Sequence, residues 1–170
     1  MKTKQTAFVM FASVGMIFLP AIASQAADSF SDTDKAFVAK VSQGGMYEVE
    51  LAKVAETHGS AQDVKDSANT EAHDHLLVGD KLKAIVEANG MEFPTHLNAE
   101  FQARLDKLSA LSSDEFDAAY LRDMIKIHDA DGAAFAKEAA AGSNPDLRAF
   151  AAETYRIVQR HLGELHAKVN

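Results

Sequence analysis

Apolar residues recur through most of the chain at alternating four- and three-residue steps, the spacing that gathers them on one face of an α-helix. The ladder Val64, Ala68, Glu71, His75, Val78, Leu82, Ile85 shows it most clearly, and in its middle sit a carboxylate and an imidazole. The same interruption occurs on three other stripes. Phe37, Val41, Gly44, Glu48, Leu51, Ala55, His58 carries Glu48; Asp117, Leu121, Met124, His128, Asp131, Phe135 carries His128; Leu147, Phe150, Thr154, Ile157, His161, Leu165 carries His161.

Cap signals bound the four helices that these stripes predict. The first opens at Ser31-Asp-Thr-Asp34 and stops at Gly59; Ser60-Ala-Gln-Asp63 caps the second, which runs to Asn89-Gly90. Ser112-Ser-Asp-Glu115 is a capping box for the third, which ends at Gly142, and Pro145 at the first helical position starts the fourth. Between Gly90 and Ser112 the pattern weakens to a short helix over 98–108 that starts after Phe93-Pro94. This connection is long enough to run the length of a bundle. The fold class is therefore all-α, a four-helix bundle with a long connection, containing a short helix, between the second and third long helices.

The four interruptions share one level. Glu48 lies 14 residues after Asp34, His75 14 after Ala61, His128 14 after Asp114 and His161 16 after Pro145. Each falls near mid-height whichever way its helix runs. An unpaired buried polar group costs about 2–7 kcal/mol, and a charge more, so four at one level call for a shared partner. A single transition metal ion, zinc, copper or iron, would satisfy Glu48, His75, His128 and His161 together. Glu71, Asp131 and Glu164 stand one turn from His75, His128 and His161 and could orient the rings or add ligands. Tyr120 and Met124, two turns and one turn before His128, are further neighbours of the same site. Full ligation by all four would leave no open coordination position. Glu48 acting instead as an outer base would leave three histidines and a water, and room for catalysis. The competing reading is a buried Glu/His network that fixes helix register in a non-catalytic envelope protein with a partner-binding surface. His58, His73, His96 and His166 read as surface residues.

Composition narrows the setting. Lys2 and Lys4 precede an uncharged apolar run from Ala7 to Ala23 and small residues to Ala26, the layout of a cleavable signal peptide over 1–26, which leaves residues 27–170 as one helical domain in the periplasm. Lys and Arg number 17 against 25 Asp and Glu, so nucleic acid and anionic lipid are poor partners. The absence of cysteine excludes disulfides, thiolate ligands and thiol nucleophiles. After signal removal no integral membrane span is expected.

Glu48-Val-Glu-Leu51, Asp74-His75, Phe116-Asp-Ala-Ala-Tyr120 followed by His128, and His161-Leu162 together resemble the exported bacterial family called domain of unknown function 4142. The resemblance spans Asp34 to Lys168. It implies a ferritin-like four-helix bundle, often labelled an outer-membrane or exported protein, with no established activity. The di-iron pattern of ferritin-like proteins, Glu-x-x-His on two helices, is not met: the pairs here read Glu71-x-x-x-His75, His128-x-x-Asp131 and His161-x-x-Glu164. A single-metal site serving metal handling or envelope stress protection fits these residues better than a di-iron oxidase or an iron store.

Overall fold

The computed structural model describes residues 30–169, so the expected signal peptide lies outside the described residues. Five helices follow in order: α1 (Asp32–His58), α2 (Gln62–Ala88), α3 (Ala99–Ser109), α4 (Ser113–Ala141) and α5 (Pro145–Val169). The four long helices and the short one within the long connection are those the periodicity predicts.

Most of the caps are local. Ser31 Oγ accepts from the Asp34 amide at 3.1 Å while Asp34 Oδ2 accepts from the Ser31 amide at 2.8 Å, and Asn98 and Asn144 cap α3 and α5 through Phe101 and Leu147 at 2.9 and 3.0 Å. The start of α2 differs from the sequence expectation. Its N-cap is Ala61, which offers no side-chain acceptor, and Asp117 reaches over from α4 instead. Asp117 accepts from the amides of Ser60 and Ala61 at 3.1 and 2.7 Å and from Ser60 Oγ at 2.6 Å. The orphan donors of one helix are thus satisfied by its neighbour.

Contacts at the ends fix the direction of each helix. Asp34 Oδ1 accepts from the Ser143 amide at 2.9 Å, and at the opposite end the His58 ring packs on Phe116 with centroids 5.2 Å apart, so α1 and α4 are antiparallel. Asn144 donates to Asn89 at 3.2 Å and Lys168 lies 3.9 Å from Asp63, so α2 and α5 are antiparallel too. The connection from α2 to α4 must therefore travel the bundle's length, carrying α3 along α1 and α4. Asp123 pins it there by accepting from Tyr47 Oη at 2.6 Å and Arg104 Nε at 2.9 Å, with the guanidinium 4.8 Å from the Tyr47 ring centroid. His58 is half-buried against Leu111 and Phe116 rather than a surface residue; His73, His96 and His166 are exposed. Among the described residues no helix is long and apolar enough to cross a membrane.

The interior is two apolar cores with a polar layer between them. Tyr47, Leu51, Ala68, Phe116, Tyr120, Met124 and Leu165 build one; Phe37, Val41, Leu82, Phe135, Phe150 and Val158 build the other. Glu48, Glu71, His75, His128 and His161 occupy the level between, and none is more than 5% exposed.

A second buried acidic contact closes the far end of the second core. Glu138 and Asp34 are both buried, and Glu138 Oε1 has no hydrogen-bond partner among the described residues and leaves no room for a Cβ at Gly142. Burial, then the Asp34 carboxylate beside it, push the Glu138 pKa up from 4.5 to about 7. A carboxyl whose folded pKa exceeds its unfolded value holds its proton more tightly when folded, so its contribution to stability is full below about pH 4.5 and is lost as pH rises to about 7. Glu138→Gln is expected to leave stability at pH 4 unchanged and to raise it at pH 8 by up to about 3 kcal/mol, read by urea unfolding at the two pH values.

Candidate metal centre

Each long helix delivers its polar residue to the layer from its buried stripe, α1 supplying Glu48, α2 Glu71 and His75, α4 His128 and α5 His161. Within the layer the nitrogens and carboxylates sort into an inner and an outer set.

The inner set converges on one point. Glu71 Oε2 lies 3.3 Å from His75 Nε2, 3.2 Å from His128 Nε2 and 2.9 Å from His161 Nδ1. His128 Nε2 is itself 3.4 Å from His75 Nε2 and 3.2 Å from His161 Nδ1. All four atoms lie within 4.8 Å of one another. Ligands held about 2.0–2.1 Å from a tetrahedral zinc ion stand about 3.3 Å apart, so the five short separations among these atoms are close enough for the group to hold a metal ion. Glu71 Oε2 has no well-directed hydrogen bond despite its three close nitrogens. A buried carboxylate oxygen with three ring nitrogens this close is stabilised by positive charge, carried either by protons on the rings or by an ion held among them.

The outer set holds the rings in place. His161 Nε2 pairs with Asp74 Oδ2 at 3.0 Å, and His128 Nδ1 donates to the Met124 carbonyl at 2.9 Å. Glu48 straddles two rings, with Oε2 at 3.2 Å from His75 Nδ1 and Oε1 at 3.2 Å from His128 Nδ1. Every imidazole therefore has an oxygen on its outward nitrogen, which favours the proton there and leaves the inward nitrogen's lone pair free.

Electrostatics describe the same layer with protons in place of an ion, the inward nitrogens then donating toward Glu71. Burial opposes charge on Glu71, but the contacts with His128, His161 and His75 outweigh it and hold the carboxyl far below its usual range. Burial also opposes charge on His128, and the Glu48 charge with the Glu71 contact reverses that, up to about 9; His75 is raised by the same two carboxylates against the same burial. Without a metal, the layer is a set of anions balanced by protonated rings.

The remaining expected neighbours take varied places. Asp131 faces away, paired with Lys40 Nζ at 3.2 Å and packed over Gly44, where a Cβ would stand 2.4 Å from Oδ2; burial and the Glu48 charge raise its pKa to about 6. Glu164 is half-exposed and lies 3.9 Å from Arg160, not on His161. Met124 contributes its carbonyl, and its side chain is core. Tyr120 is fully buried with its hydroxyl unpartnered among the described residues, and burial followed by Glu71 and Glu48 raises its pKa well above 10. Asp74 and Arg160 are further neighbours of the layer, in contact with His161, that periodicity places on the polar face; their only sequence signal is adjacency to His75 and His161.

The family model described as Domain of unknown function (DUF4142) matches residues 19–167. The chain belongs to this family. A crystal structure of a DUF305 fragment from Deinococcus radiodurans is similar to this DUF4142 chain, with a TM-score of 0.72 at 16% identity over 82% of this chain and 96% of that one. At that identity the likeness establishes the helical-bundle fold and nothing about activity. No curated protein sequence matches the chain.

Proposed function

We propose that the chain is an exported, ferritin-like metal-handling protein that holds one zinc, copper or iron ion through Glu71, His75, His128 and His161. The convergence of Glu71 Oε2 and three imidazole nitrogens, each ring backed by an oxygen on its far side, carries this reading. Four protein donors around one ion resemble a closed, structural or storage sphere more than an open catalytic one, which favours binding, buffering or protection against metal stress over hydrolysis. In this reading Glu48 and Asp74 orient rings, and the leader over 1–26 delivers the protein to the periplasm, where it acts in the envelope.

A metal that binds only the folded chain stabilises it by mass action. Free ion at a hundredfold excess over Kd gives about 2.7 kcal/mol, a rise in Tm of roughly 5–10 °C for a domain of this size. Calorimetry of the mature protein is expected to show that rise with one of the three ions at neutral pH, its reversal by chelator, and its loss on acidification as the rings take up protons. A Tm that ignores all three ions and the chelator would favour the register-fixing Glu/His layer instead.

A further inference from the structure

The four inward donors belong to residues no more than 5% exposed, so an ion cannot reach them without passing other groups. Two features of the surface approach the layer. A groove between α1 and α2, of about 210 Å³, touches His75 and is walled by Val41, Val49, Val78, Leu82, Phe93 and Phe135. Glu50 and Asp80 also line it, but Lys53 and Lys83 stand beside them and Glu50 is already paired with Lys53 at 2.8 Å. A cation would therefore lose water against a largely apolar wall with no net negative charge to compensate it.

The other approach is polar. Asp74, its side chain 20% exposed, bonds to His161 Nε2 at 3.0 Å, so one carboxylate links solvent to a ring of the inner set. The half-exposed Arg160 covers it, its Nη2 bonded to Asp74 Oδ2 and 3.2 Å from His161 Nε2, with Glu164 3.9 Å from its Nε. Along the same α2–α5 seam, Asp63, Asp66, Thr70 and Glu164 line an open groove, countered there by Lys168. Thr70 is one helical turn before Asp74.

Resting on the metal reading above, we infer that the ion enters and leaves through this seam, with Asp74 as its first buried-side acceptor and Arg160 as the gate. The guanidinium occupies the position beside Asp74 that an incoming cation would take, and repels it by like charge. Arg160 must swing outward for exchange, and Glu164 on the same helix is its alternative partner. Both groups are positioning residues, since neither supplies an inward donor.

The test uses zinc(II) alone with the mature protein, following loading and then release to a chelator by stopped flow in the parent, Arg160→Ala and Gly79→Leu. Gly79 lines the apolar groove and a Cβ there meets no atom within 4 Å, so a bulky side chain at this position is chosen to narrow the other approach without disturbing the core. Arg160→Ala is expected to load and release zinc at least tenfold faster at unchanged stoichiometry, with Gly79→Leu within twofold of the parent. An Arg160 that served only as a surface ion pair would move neither rate. Rates within twofold of the parent for Arg160→Ala, or slowed exchange in Gly79→Leu, overturn the gate while leaving the metal site standing. A parent that takes up neither zinc nor, offered in its place, copper or iron overturns both.

Discussion

Alanine at His128 is expected to abolish metal binding and to destabilise the metal-free protein by about 3–5 kcal/mol, the cost of leaving buried charges without their partner. The ring is fully buried at the centre of the layer, reaching Glu48 and the Met124 carbonyl with Nδ1 and Glu71, His75 and His161 with Nε2. Truncation removes a cation shared by two buried carboxylates and leaves a cavity between two cores that cannot close over it. Urea unfolding of the metal-free parent and variant measures the loss. A difference under about 1 kcal/mol would mean that the layer is wetter and looser than this packing allows.

The second large effect separates the two glutamates. Glu71→Gln is expected to weaken metal affinity by far more than 100-fold, because its oxygen stands among the three inward nitrogens, while Glu48→Gln, acting only on the outward nitrogens, costs about 10–100-fold. Competition with a chelator of known affinity reads both. The reverse order would move the ion to the Glu48 side of His75 and His128.

The fold was legible because each long helix carries its own stripe and, in most cases, its own cap. The level of the polar layer was legible too, since counting residues from each helix start gives depth without knowing how the helices pack. Depth does not say which face of a ring points inward. Glu48 and Glu71 both lie on buried stripes near the same level, and only the packed rotamers of His75 and His128 put one carboxylate at the inner nitrogens and the other at the outer ones. The Glu71-x-x-x-His75 spacing, one turn on a single helix, was the available hint that these two share a face. Asp74 was invisible to periodicity because it lies off the α2 stripe and meets His161 across the helix seam. The capping role of Asp117 is hidden for a similar reason: its partners are amides 56 and 57 residues away, and no local pattern records them.

Elemental analysis of the mature protein, purified without affinity tag or chelator beside a His75→Ala/His128→Ala variant, tests the central claim most directly. The account predicts about one zinc, copper or iron ion per parent chain, held by a donor set of this size, and almost none in the variant. A parent that arrives metal-free and stays so when offered each of the three ions would contradict it, and the five buried residues would then stand as an ion-paired layer that sets the register of the bundle.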